Sequence, residues 1–322
     1  KMKIAIIGSG SIARRHFFNI KKLKPEADII VLTRPLNIQS KKKLFKDEAN
    51  FVSTLEEVIE FSPIIAVICS PANFHVQQSS ILSEENIHLF IEKPLSDKIH
   101  GIDSLLISTE KNKTINMVGY PLRFNSSLLF FRKVAQSMIN DPGALIESKC
   151  LSFLPDWRPG LDYRKSVSAK KSLGGGALLE LSHEIDYLKW IFGEISLIDS
   201  KIHRKGNLEI DVEDSADLVF RLNNYRKIKA NLSLDFSSNF LSRECMIKTK
   251  SRELKWDGIS NQVLSRSKSS DNWKIIYEND NQDMYFEEIK YFLNCVEKNL
   301  TAQPDIIDAL GTLKIILEAK EQ

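Results

Sequence analysis

Residues 3–16 read KIAIIGSGSIARRH and compress a strand, a tight turn and a helix start into one short run. Ile4, Ala5, Ile6 and Ile7 form an unbroken apolar stretch, the pattern of a parallel strand covered on both faces rather than half exposed. Gly8 and Gly10 follow at once, with Ala13 in the third small position, giving the spacing GxGxxA. Gly8 permits the sharp turn, Gly10 leaves no side chain in the way of a pyrophosphate, and Ala13 lets helix and strand pack closely. A helix opening at Ser11 and Ile12 turns its unpaired amides and positive dipole end toward that phosphate. The bare motif also occurs as a glycine turn that binds nothing, but strand, turn and helix in this order favour a dinucleotide.

Outward from this stretch, further apolar runs are expected as strands at Ile29–Leu32, Ile64–Cys69, His88–Ile91 and Ile115–Val118. Helical patterns separate them, including Thr54 and Glu57 spaced as a capping box and an amphipathic segment over 97–111. This alternation predicts an α/β, doubly wound parallel sheet of Rossmann type. It ends near Tyr120, so a dinucleotide-binding domain is expected over 1–122 and a second, α+β domain over 123–322. The second opens with a linking helix over 125–139, the turn Asp141-Pro142-Gly143 and a strand to Leu154. A long polar loop to Leu173 and a helix over 177–192 closed by Gly193 follow. Val212–Leu222, Lys227–Phe236, Cys245–Lys250 and Glu253–Trp256 read as a largely antiparallel sheet, with Asn223-Asn224 as a hairpin turn. Two helices over 283–298 and 304–320 finish the chain and are expected to pack back on the first domain.

A chain of 322 residues is long enough for two buried cores. Its 45 basic and 42 acidic residues leave a net charge of +3, too small and dispersed to argue for nucleic acid or a membrane surface. The lysines at 21, 22, 24 and 41–43 read as solvated helix faces. Cys69, Cys150, Cys245 and Cys295 never form a CxxC, which points away from a zinc site or a disulfide framework and toward a reducing, cytoplasmic setting. No metal is expected. Neither a secretory signal nor an anchor is expected, since no apolar run reaches the roughly 20 residues needed to span a bilayer.

The end of the second strand discriminates between nicotinamide cofactors, because a carboxylate there binds the adenosine ribose and a cation accommodates its phosphate. Thr33 and Arg34 stand there, so NADP is expected over NAD, although Arg34 also reads as an ordinary surface arginine. Ser70, Pro71, Asn73 and His75 follow the strand Ile64–Cys69 and are expected to line the cofactor; His75 reads equally as a helix N-terminal residue without chemistry. Glu92-Lys93-Pro94 closes the next strand, with a lysine whose backbone direction the proline restricts, and Glu92 and Lys93 are also expected at the cofactor. Gly174-Gly175-Gly176 then precedes ALLELSHEIDYLKWIFG, where Glu180, His183 and Asp186 stand at i, i+3 and i+6 of the expected helix. A histidine between two carboxylates on one broad face suits general acid–base work, and the glycines suggest close backbone approach to a ligand. The loop over 156–164 holds Trp157, Arg158 and Tyr163, a mixture suited to a sugar ring with an anionic group.

Taken together, GSGSIA, SPANFH, EKP and GGG followed by HxxD resemble the glucose–fructose oxidoreductase, inositol dehydrogenase and MocA family over nearly the whole chain. The resemblance implies a Rossmann domain that binds NAD or NADP, and a second domain that uses its open sheet for homodimer or homotetramer contacts. It implies that Lys93 orients a substrate hydroxyl beside the nicotinamide and that His183 is the acid or base. Arg123, Trp157, Arg158, Tyr163, Glu180 and Asp186 are then expected around a sugar-like substrate. One departure is visible: family members resembling inositol dehydrogenase place an acid four residues before the histidine, where this chain has Leu179, with Glu180 at minus three. A non-catalytic dinucleotide- or sugar-sensing regulator of the same fold is the alternative, and the presence of both Lys93 and His183 favours the enzyme.

Overall fold

The computed structural model describes residues 1–279 and 283–321. They divide into two compact units, Lys1–Tyr120 with Met284–Leu313, and Pro121–Asp283 with Lys314–Gln322. The first unit runs β1 (Lys3–Ile7), α1 (Ser11–Leu23), β2 (Asp28–Leu32), α2 (Ile38–Leu44), β3 (Asn50–Val52), α3 (Leu55–Phe61), β4 (Ile65–Ile68), α4 (Ala72–Glu84), β5 (His88–Glu92), α5 (Ile102–Lys111) and β6 (Asn116–Gly119). Its strands pair in parallel in the order β3-β2-β1-β4-β5-β6. The chain therefore winds outward in both directions from β1 and β4, the reversal beside which open α/β sheets bind ligands. Ile4, Ile6 and Ile7 of β1 and Ile65, Val67 and Ile68 of β4 are wholly buried, each worth about 1.5–3 kcal/mol.

On α1, Ala13, His16, Phe17 and Ile20 form the buried stripe at helical spacing. A histidine within an apolar stripe needs a polar partner, and His16 finds one below. Helix α3 carries the expected capping box: Thr54 Oγ1 accepts from the Glu57 amide at 3.2 Å and Glu57 Oε2 accepts from the Thr54 amide at 3.0 Å. The helix expected from residue 97 begins instead at Ile102, because Gly101, with φ of 86°, turns the chain just before it.

The second unit runs α6 (Ser126–Met138), β7 (Leu145–Phe153), α7 (Ala177–Glu180), α8 (His183–Phe192), β8 (Ile195–His203), β9 (Ser215–Leu222), β10 (Lys229–Asp235), β11 (Ser237–Lys248), β12 (Arg252–Asp257), β13 (Gln262–Ser267) and β14 (Lys274–Glu278). The order is β14-β13-β12-β11-β7-β10-β9-β8, antiparallel except where β7 meets β10 in parallel. Burial alternates along β7, whose inward Ile146, Ser148, Cys150 and Ser152 mark a half-covered sheet. Helices α9 (Met284–Glu297) and α10 (Ile306–Glu321) close the chain. In the first unit α9 lies against α1, with the Arg15 guanidinium 4.3 Å from the Tyr285 ring and Phe292 edge-on to Phe90.

The helix expected over 177–192 is two helices. Leu181, with ψ of 27°, leaves the helical region, and Ser182 starts a new helix, so the chain steps between Glu180 and His183. Serine bonds readily to nearby backbone and is better placed at a helix start than inside one. The polar loop before it is built from four short 3-10 turns within 154–173. Strands β3, β8, β13 and β14 were not among the expected ones; β3 has three residues, and β8 and β14 are mostly exposed and so carry little apolar patterning. Among the described residues no helix is long and apolar enough to cross a membrane.

Candidate active site

The glycine turn separates two reasons for glycine. Gly8 has φ of 110°, and a Cβ there would stand 2.8 Å from the Cys69 carbonyl oxygen, so the protein itself requires glycine where β1 passes β4. Gly10 has an ordinary extended backbone, φ −76°, and a Cβ there would meet nothing within 4 Å. Nothing in the fold demands glycine at position 10; a ligand lying over the turn would. Helix α1 starts just beyond with no side chain capping it, leaving the first-turn amides of Ser11, Ile12 and Ala13 for an anion. The turn, the uncapped helix and the ends of β1 and β4 are thus what a dinucleotide pyrophosphate needs.

Around this turn, Ser9 Oγ and Thr33 Oγ1 share a hydrogen bond of 2.6 Å, which draws the end of β2 onto the glycine turn and buries Thr33. Arg34 is exposed and leads into the 3-10 turn Pro35–Asn37, so its guanidinium is available to a ribose phosphate. After β4, Ser70 Oγ donates to Gln78 Oε1 at 2.5 Å, and Pro71 precedes the uncapped α4. Asn73 Oδ1 is buried with no hydrogen-bond partner, an acceptor that a bound ligand would satisfy.

The segment Glu92-Lys93-Pro94 is held from two helices. His16 Nε2 lies 2.6 Å from Glu92 Oε1, and because a carboxylate only accepts, Nε2 is the donor. Both groups are almost wholly buried, and the ring also meets Phe90 edge-on. His75 Nδ1 stands 2.9 Å from the Pro94 carbonyl oxygen and its Nε2 2.7 Å from that of Ser70. Burial pushes the His75 pKa down, against the two carbonyls and Glu92. The expectation that His75 lines the cofactor is therefore corrected: the ring is 1% exposed, and both its nitrogens are engaged by backbone. Lys93 itself is half-buried at the end of β5. Sequence reading passed over His16, although its place in the Ala13, Phe17, Ile20 stripe was the available signal.

In the second unit, His183 opens α8 and is half-buried. Its helix is anchored by Tyr187, whose hydroxyl is 2.5 Å from Ser148 Oγ on β7 and whose ring meets Trp256 edge-on at 5.6 Å. Glu184, wholly buried, lies 2.7 Å from Arg243 Nε, and burial pushes its carboxyl pKa up against the pull of that guanidinium. The expected common face of Glu180, His183 and Asp186 is corrected, because the break at Leu181–Ser182 puts Glu180 on α7. Leu179, where resemblance would place an acid, is a buried apolar position.

Arg123 and Asp186, expected as substrate ligands, engage each other. Arg123 Nε donates to Asp186 Oδ2 at 2.9 Å and Nη2 to Oδ1 at 2.7 Å, a two-pronged pair with the aspartate 1% exposed. Asp186, still three residues from His183 on α8, is thereby engaged by a guanidinium inside the fold. The glycine run also answers to the protein rather than to a ligand. A Cβ on Gly175 would stand 2.4 Å from the Val167 carbonyl oxygen, and one on Gly176 2.4 Å from Glu213 Oε1. Trp157 packs edge-on against Phe236 and donates to Ser152 Oγ at 3.0 Å, and the Tyr163 hydroxyl accepts from the Glu209 amide at 3.1 Å. Both lean on the cluster of Leu154, Ala177, Leu208, Ile210 and Phe236, whereas Arg158 is exposed. Among the described residues no group of three or more His, Cys, Asp or Glu is placed to hold a metal.

Comparison with known proteins agrees with this architecture. Residues 2–120 match "Oxidoreductase family, NAD-binding Rossmann fold", and residues 146–247 match "GFO/IDH/MocA C-terminal domain". The chain is 25% identical over 228 residues to myo-inositol 2-dehydrogenase of Thermotoga maritima, 66% of this chain and 64% of that protein. The match thus spans less than two thirds of that relative's length. A levoglucosan dehydrogenase solved with NADH and levoglucosan superposes with a TM-score of 0.85 at 15% identity, covering 100% of this chain and 98% of that one. The WlbA dehydrogenase of Bordetella pertussis, solved with NADH and UDP-GlcNAcA, gives 0.81 at 16% identity, covering 100% and 96%. With both domain matches in sequence order and the glycine turn and Glu92-Lys93-Pro94 within the first, the chain belongs to the GFO/IDH/MocA oxidoreductase family and carries its NAD-binding Rossmann fold.

Proposed function

We propose that this protein is an NAD(P)-dependent oxidoreductase that interconverts a carbinol and a carbonyl on a sugar, polyol or nucleotide-sugar, with NADP preferred. The observation that carries the reading is one edge of the first sheet. The glycine turn after β1, Ser70, Pro71 and the first turn of α4 after β4, and Lys93 after β5 sit at the carboxyl ends of adjacent parallel strands. A bound nicotinamide dinucleotide supplies the hydride acceptor in oxidation and the donor in reduction. Gly8, Gly10, Ser11 and Ile12 hold its pyrophosphate, Thr33 and Arg34 its adenosine ribose phosphate, and Ser70, Pro71 and Asn73 line it further along.

Lys93 orients the substrate oxygen with its ammonium and stabilises the negative charge that grows there as the proton leaves. His183 accepts that proton at a ring nitrogen in oxidation and returns it in reduction. Trp157, Arg158 and Tyr163 border the sugar, with Arg158 free to meet an anionic substituent. Phe240 and Leu241, exposed beside the bulge in β11, support a homodimer or homotetramer built on the second sheet. Lys93→Met is the direct test of the chemistry. Dinucleotide affinity should stay within about tenfold while turnover falls at least roughly a hundredfold. Turnover close to that of the parent removes Lys93 from the reaction. A parent protein that binds dinucleotide and sugar but turns over neither sugars nor polyols is a sensor instead.

A further inference from the structure

We propose that His75 is a positioning residue that ties the loop after β4 to the segment carrying Lys93, so that one buried ring sets where the lysine stands relative to the dinucleotide crevice. This rests on the reading of Lys93 given above. The ring of His75 reaches the Ser70 carbonyl with one nitrogen and the Pro94 carbonyl with the other, at 2.7 and 2.9 Å. Ser70 directly follows the strand end against which Gly8 is pressed, and Pro94 directly follows Lys93. Carbonyl oxygens only accept, so each contact needs a ring N–H. A neutral imidazole supplies one N–H and an imidazolium supplies two. The charged groups bearing on the ring are Glu92, which favours the second proton, and Lys93, which opposes it. Glu92 is itself held from the far side by His16. In either protonation state at least one N–H is locked inside the fold, away from water.

The tie is short. Ser70 and Pro94 belong to different strand–loop units, and without the ring the bridge between these two carbonyls is lost, while Glu92 keeps its bond to His16. A displacement of Lys93 by about an ångström is enough to lower a rate about a hundredfold without disturbing ground-state binding. His75→Gln keeps a polar group that donates to one carbonyl. The expected result is turnover lowered about tenfold or more, with dinucleotide Kd within about threefold of the parent. In the Lys93→Met background the same substitution should have almost no further effect on turnover, because a residue acting through Lys93 has nothing left to position. Equal losses in both backgrounds, or unchanged turnover in His75→Gln, would overturn the proposal.

A second readout does not depend on turnover. In protein labelled with 15N-histidine, His75, assigned by its absence from the Gln variant, should show a ring N–H protected from exchange with water. Rapid exchange at both nitrogens overturns the tie. A parent that turns over no sugar refutes the enzymatic reading, whereas the protected ring N–H decides the tie on its own.

Discussion

Breaking the Arg123–Asp186 pair should destabilise the protein far more than removing it. Two hydrogen bonds, at 2.9 and 2.7 Å, join groups that water barely reaches. Arg123→Met takes the two-pronged partner from a buried carboxylate and Asp186→Leu takes it from a buried guanidinium, each at a cost of about 3–5 kcal/mol. The double variant replaces both charges with apolar groups that can pack on each other and should cost no more than about 2 kcal/mol. The coupling free energy in this double-mutant cycle is then about 4 kcal/mol or more. With a urea slope of about 3 kcal/mol/M, the upper end expected for a chain of this length, each single variant should lower the midpoint by about 1–2 M, and the double variant by under about 0.7 M. Urea unfolding followed by tryptophan fluorescence reads all four proteins. Additive effects, or single variants within about 1 kcal/mol of the parent, would refute the buried pair and return Arg123 and Asp186 to the substrate.

Arg34→Asp should narrow or reverse the proposed preference for NADPH, since an exposed guanidinium at the end of β2 would become a carboxylate suited to the ribose hydroxyls; parallel titrations of parent and variant with NADPH and NADH measure it, and equal affinity of the parent for both overturns the preference. His183→Asn should lower turnover by roughly two to four orders of magnitude and abolish the acid limb of oxidation. That limb arises because only neutral imidazole accepts the hydroxyl proton, so oxidation falls as pH drops through the histidine pKa, and reduction shows the opposite limb; an unchanged rate and pH profile make His183 structural. Gly176→Ala should destabilise by about 1–3 kcal/mol in the same urea assay, because φ of 111° and a Cβ 2.4 Å from the Glu213 carboxylate are both unfavourable.

Local physics made the first unit legible. A strand buried on both faces needs a continuous apolar run, a glycine turn needs glycine, and a capping box needs Thr54 and Glu57 at fixed spacing, so β1, α1 and α3 are all legible in the sequence. Polar groups that act by tertiary contact were not. His75 and His16 are ordinary letters until the fold brings Ser70, Pro94 and Glu92 to them. Helical periodicity carried Glu180, His183 and Asp186 through Leu181–Ser182 as though the helix were continuous, because a single departure in backbone angle leaves the apolar spacing intact. The glycines at 175 and 176 pointed correctly to close approach but not to its object, which is the chain's own 167–168 segment and Glu213. Strands β8 and β14 escaped because a mostly exposed strand has little alternation to detect.

If position 10 is glycine for the sake of a bound dinucleotide, titrating NADPH and NADH into the parent and into Gly10→Val must separate the two proteins. The backbone at Gly10 is ordinary and the space beside it open, so the valine protein should fold with nearly the parent's urea midpoint. The parent should bind NADPH with a Kd in the range of about 1–100 μM, and the variant at least roughly a hundredfold more weakly. A parent that binds neither nucleotide, or a folded variant that binds as tightly as the parent, would rule out a dinucleotide lying over Gly10.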